Sequence, residues 1–168
     1  YSLKANSNLS ILRLLASLGS GFDIVSGGEL YCAQRAGIPA GRVVFSGVGK
    51  SKEEIREALR AGIRLFNAES EAELDVLASE ASRLGRRAPA AIRVNPDVMA
   101  GGHPHISTGH RHHKFGMDWS DAWRLYLQHR SSRWIEWQGI SAHIGSQILT
   151  LTPFRSALAR LVSCVVEL

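Results

Sequence analysis

Cysteine is scarce in this chain: Cys32 and Cys164 stand far apart, with no CxxC spacing. That excludes a disulfide framework and a thiolate zinc site, and both thiols are expected reduced, in or near the core of a cytoplasmic protein. Long apolar runs are missing as well. Nothing approaches the roughly 18 residues of a membrane span, and no charged-then-apolar opening reads as a signal peptide. Charge of one sign is modest, at a formal +5 over 168 residues, and basic residues are mixed with acids, as in Lys50-Ser51-Lys52-Glu53-Glu54-Ile55-Arg56-Glu57. A nucleic-acid surface would need a basic stripe with interleaved aromatics, so neither nucleic acid nor membrane is expected as a partner. No strand is followed by GxGxxG, which leaves a dinucleotide fold without support.

What is present is an ordinary globular content, 45% hydrophobic, enough for a sizeable core. Leu9, Ile11, Leu12, Leu14, Leu15 and Leu18 recur at helical spacing after Asn8, a suitable N-cap, and Gly19 ends the run. Ser51 with Glu54 three residues on has capping-box spacing, and Gly62 closes that helix. Further helices are predicted over 28–36, 69–84 and 120–128, and from about Pro153 onward. Between them lie short apolar segments ending in a polar residue: 1–6, 21–26, 43–45, 65–67, 90–94 and 139–143. Read as strands, these six alternate with helices, and each connection is long enough for a parallel crossover.

Lys4, Asp23, Ser46, Asn67, Asn95 and His143 then all fall at C-terminal strand ends, which in a (β/α)8 barrel share one mouth. Lys4 is the pivotal position. A lysine there is either a solvated strand-end residue or a desolvated amine able to form a Schiff base with a carbonyl. The first is commoner for a lysine taken alone; the company of the other strand ends favours the second. Six strands do not close an eight-stranded barrel, and the outer patterns run to both termini. The chain is therefore expected to be part of something longer.

Eight blocks occur in order along the whole chain. They are Tyr1-Ser2-Leu3-Lys4-Ala5-Asn6, Gly21-Phe22-Asp23-Ile24-Val25-Ser26-Gly27-Gly28-Glu29, Val44-Phe45-Ser46-Gly47-Val48-Gly49-Lys50 and Phe66-Asn67-Ala68-Glu69-Ser70. The rest are Arg93-Val94-Asn95-Pro96, His105-Ile106-Ser107-Thr108-Gly109, Lys114-Phe115-Gly116 and His143-Ile144-Gly145-Ser146-Gln147. Together they resemble the fold-type III pyridoxal-phosphate decarboxylases, departing at Ser2, where the family more often has Ala or Pro. The resemblance implies an α/β fold: part of an alanine racemase-like (β/α)8 TIM barrel, without the outer strands and the C-terminal β-domain, with residues 1–168 forming the incomplete cofactor-binding domain.

The same resemblance gives roles. Lys4 matches the lysine that holds pyridoxal 5'-phosphate, and His143 matches the histidine stacked on the cofactor ring. Ser146 matches a phosphate contact, and Asp23 and Glu29 match acids near the cofactor. Glu29 has an equal alternative as first-turn charge of its own helix. Arg93 is read as an inward-facing arginine that orients the cofactor or a neighbouring acid, with a structural ion pair as the alternative.

The implied reaction is decarboxylation of a small amino-acid substrate. The blocks favour members acting on meso-2,6-diaminopimelate over those acting on ornithine, arginine or carboxynorspermidine; a non-catalytic carrier of the same barrel is the other reading. A homodimer is implied for the full-length protein, with this chain inactive alone. His103, His105, His110, His112 and His113 lie within eleven residues but lack the HExxH arrangement, so no metal is expected. The four tryptophans are read as packing residues.

Overall fold

A computed structural model describes residues 1–98 and 115–167. In chain order the elements are α1 (Leu9–Ser17), β1 (Phe22–Ile24), α2 (Gly27–Arg35), β2 (Val43–Phe45), α3 (Lys52–Ala61), β3 (Leu65–Ala68), α4 (Glu71–Leu84), β4 (Ala88–Arg93), α5 (Trp119–His129), β5 (Ile135–Ser141) and α6 (Thr152–Glu167). The local chemistry of the helices is as their sequence requires. Asn8 accepts from the Ser10 amide, and Ser51 and Glu54 close a reciprocal capping box. Gly62 ends α3 in the left-handed conformation, at φ 72°.

All five strands are parallel, and each pairs with its successor in the order β1-β2-β3-β4-β5. A doubly wound sheet reverses its order at a switch point. Unbroken succession is instead the wall of a (β/α)8 barrel. Alternation along the strands separates two faces. Phe22, Ile24, Val43, Phe45 and Phe66 are at most 2% exposed and pack against the helices, whereas Asp23, Val44, Leu65, Asn67 and Arg93 alternate with the buried positions and are only half-buried. Phe45 and Phe66 stack at 6.1 Å between centroids, joining neighbouring strands in the core. Trp119 and Trp137 pack around the smaller core cluster, with Trp134 and Trp137 against the main one.

Three expectations need correction. The segment around Lys4 is not a strand end. Tyr1 O accepts from the Asp23 amide at 2.8 Å and Ser2 makes one parallel bridge to Asp23, but the Ala5 amide then turns back to Ser2 O, and Leu3–Ala5 form one turn of 3-10 helix. Six strands are thus five and a bridge. The last strand begins four residues early and ends at Ser141, two before His143. A bulge hides it from pattern reading: Trp137 pairs with Ala90 and Gly139 with Ala91, so Gln138 is skipped, and Gly139 sits at φ 145°. Finally, α4 starts at Glu71, because Ser70 caps it by accepting from the Glu73 amide, and Glu69 is left between strand and helix.

The histidine-rich segment lies outside the described residues. Among the described residues, no cluster of three potential metal ligands forms and no helix is long and apolar enough to cross a membrane.

Candidate active site

Parallel strands in sequential order bring every strand's C-terminal end to one rim. There a cleft of about 410 Å³ is lined by Ser2, Lys4, Asp23, Ser46, Asn67, Arg93, Ser141, Ala142, His143 and Ser146. Lys4, Asp23, Arg93, His143 and Ser146, separated by up to 142 positions in sequence, therefore border one space. Lys4 itself is exposed, opposite to the desolvated setting considered from sequence.

A polar chain crosses the strand ends. Ser2 Oγ donates to Asp23 Oδ2 at 3.3 Å, Ser46 Oγ makes a short bond to Asp23 Oδ1, and Asn67 Nδ2 donates to Ser46 Oγ at 2.9 Å. The Asp23 carboxyl is thus fixed by two hydroxyls at the rim of the cleft. Arg93 Nη1 is tied to Glu69 Oε1 at 2.7 Å, and its guanidinium lies 5.6 Å from the centroid of the Phe115 ring. Partial desolvation, then the positive charges of Arg93 and Lys4, hold the His143 pKa below its ordinary value; Asp23 and Glu69 oppose them. His143 keeps an exposed edge even so. Ser146 follows Gly145 at φ 128° and precedes Gln147 at φ 58°, a sharp reversal anchored by buried Ile144 against Ala157 of α6.

Glu29 stays apart. Its Oε2 accepts from the Val25 amide at 2.8 Å and its own amide donates to Ser26 Oγ, so it organises the start of α2 and does not line the cleft. Sequence reasoning did not name Ser2, Ser46, Asn67 or Ser141 as site residues. Ser46 and Asn67 carried a signal in their strand-end positions. Ser141 carried none, because only the structure shows that its Oγ is buried without a hydrogen-bond partner among the described residues, as is Asn67 Oδ1. Buried polar atoms seldom go unpaired. Both residues border the cleft.

All 168 residues match the family described as pyridoxal-dependent decarboxylase, pyridoxal binding domain. The chain belongs to this family. Its cofactor is pyridoxal phosphate, and the chemistry of the cleft fits such a molecule: the amine of Lys4, the guanidinium of Arg93, the hydroxyl of Ser146 and the imidazole of His143 all border it. Among pyridoxal-dependent decarboxylases, the diaminopimelate decarboxylase of Pseudomonas fluorescens is 51% identical over 166 residues, covering 98% of this chain and 40% of that protein. The diaminopimelate decarboxylase of Aquifex aeolicus is 49% identical over 163 residues, 97% of this chain and 39% of that protein. The crystal structure of the Helicobacter pylori diaminopimelate decarboxylase complexed with L-lysine superposes with a TM-score of 0.96 at 46% identity, covering 99% of this chain and 42% of that one. The chain spans about 40% of the length of the curated relatives it matches.

Proposed function

We propose that the full-length protein is a diaminopimelate decarboxylase, which removes one carboxylate of meso-2,6-diaminopimelate as carbon dioxide, adds a proton to the carbon that carried it, and leaves L-lysine. One observation carries the reading: in a chain about half identical to curated diaminopimelate decarboxylases, Lys4, Asp23, Arg93, His143 and Ser146 meet at a single cleft.

Pyridoxal phosphate supplies an electron sink for the pair left behind as carbon dioxide departs. The residues of this chain place it. Lys4 would hold the cofactor through its side-chain amine, a nucleophile suited to a carbonyl carbon. His143 presents a ring face for stacking, and its lowered pKa favours the neutral imidazole, which can still accept or donate at its edge. Ser146 and Arg93 provide donors for oxyanions, Arg93 in a planar fork suited to phosphate or carboxylate. Asp23, held by Ser2 and Ser46, presents its carboxyl in the same cleft as Lys4 and Arg93. We further assign the full-length protein a cytoplasmic location, which cell fractionation tests, and a homodimeric state, which sedimentation of that protein tests.

The deciding experiment supplies meso-diaminopimelate, ornithine, arginine and carboxynorspermidine separately to the full-length protein and follows carbon dioxide and amine products. Release of L-lysine from diaminopimelate, with borohydride fixing the cofactor to the peptide holding Lys4, is the expected result. Faster turnover of another substrate, or a label elsewhere, overturns the assignment. Cofactor binding with no turnover of any of the four would mark a non-catalytic carrier.

A further inference from the structure

Glu69 sits one residue past β3 and is not among the residues lining the cleft. Its side chain is only 1% exposed. Oε1 accepts from Arg93 Nη1 at 2.7 Å and from the Gly47 amide at 2.8 Å, while Oε2 is buried with no hydrogen-bond partner among the described residues. A carboxylate buried with one bare oxygen is a poor stabiliser, since an apolar side chain of similar volume avoids the desolvation cost. Stability alone does not explain why an acid stands there.

The surroundings fix where that acid points. Gly47 adopts φ 91°, and a Cβ there would meet Val25 at 3.3 Å, so the turn holds its amide toward Glu69. Lys50, 1% exposed, donates to Gly47 O at 2.7 Å, to Asn67 O at 2.9 Å and to Glu73 Oε1 at 2.6 Å. One buried ammonium thus pins both the turn that donates to Glu69 and the strand end that precedes it. On the far side, Arg93 is confined by the Phe115 ring and by Gly116, where a Cβ would come within 3.1 Å of Arg93 O. The result is a braced lever: Lys50 holds Gly47, Gly47 holds Glu69, and Glu69 holds one nitrogen of an arginine whose side chain reaches the cleft.

We propose that Glu69 is a positioning residue for Arg93, fixing the guanidinium so that its remaining N–H donors meet an oxyanion in the cleft. This rests on the cleft being the pyridoxal phosphate site. The oxyanion is either the cofactor phosphate or a substrate carboxylate, and separate constants distinguish them.

The test uses the full-length protein with Glu69→Gln, Arg93→Gln and the double variant. Cofactor Kd is read by titrating apoprotein with pyridoxal phosphate, then kcat and KM with diaminopimelate at saturating cofactor. Glu69→Gln is expected to weaken cofactor Kd if the oxyanion is the phosphate, or to raise KM if it is a carboxylate, by up to about 10²-fold. The double variant is expected to be no worse than Arg93→Gln alone, because Glu69 acts through Arg93. Wild-type constants in Glu69→Gln, losses that multiply in the double variant, or a change confined to the thermal midpoint would each overturn the proposal. If Glu69→Gln fails to fold, Glu69→Asp keeps the charge but withdraws it by one methylene; a smaller defect in the same constant supports the lever, and wild-type values sink it. Should the wild-type protein release no carbon dioxide, the substrate reading fails; a weakened cofactor Kd in Glu69→Gln then still supports the positioning role, and a wild-type Kd overturns it.

Discussion

At His143, desolvation and two cations outweigh two anions, so the imidazole loses its proton at a lower pH than an ordinary histidine. The sign for stability follows. Between the folded pKa and the unfolded value near 6.5 the unfolded chain binds more protons, so this group's contribution is present above that window and is lost as pH falls through it. Urea titrations of the full-length protein at pH 5 and pH 7.5 are expected to show a smaller pH gap for His143→Ala than for wild type; an unchanged gap would place the titrating group elsewhere. The same variant should retain the cofactor band and lose turnover by on the order of 10²-fold, the usual penalty for losing an orienting contact. Wild-type turnover would mean that His143 merely borders the cleft.

Among the elements, α3 shows how directly sequence chemistry can set a boundary. Ser51 accepts from the Glu54 amide at 3.2 Å, and Glu54 Oε2 returns a bond from the Ser51 amide at 2.9 Å. Glu54 also reaches out of its helix to the Gly27 amide at 2.7 Å, and these backbone donors keep its carboxyl below the usual glutamate pKa. Ser51→Ala is expected to cost about 1 kcal/mol, read as a lower urea midpoint at unchanged m-value; no shift would show the cap to be redundant. Such caps made the helices legible, and apolar segments closed by a polar residue revealed the strands and their common rim. Two kinds of feature escaped. The first four residues of β5 were masked by the bulge at Gln138, which breaks the alternation that pattern reading needs. Ser141 and Glu69 are ordinary residues by type, and what distinguishes them, a buried atom without a partner, exists only once distant segments pack. Lys4 marks the opposite case: its place at the rim was readable and its backbone was not, because a single 3-10 turn has no sequence period.

For the molecule as a whole, burial is uneven. The face of the sheet packed on the helices is sealed, while α6 leaves Phe154, Leu158, Val162 and Val165 between 49% and 62% exposed, with Leu149 and Leu151 ahead of it more exposed still. Contiguous apolar surface of this kind promotes association in water. Sedimentation of the 168-residue polypeptide is expected to show a mass that grows with concentration, and Leu158→Lys with Val162→Lys should suppress that growth; a concentration-independent monomer without the substitutions would refute it. The polar chain along the rim has another consequence. Its links join residues 21, 23 and 21 positions apart, one strand-to-strand stride each. Because every link spans one βα unit and depends on strand register alone, an insertion or deletion in a helix or outer loop alters the stride and leaves the bond intact. The cleft is thus insulated from length variation in its scaffold: each unit can lengthen or shorten while the links Asp23–Ser46 and Ser46–Asn67 keep their register.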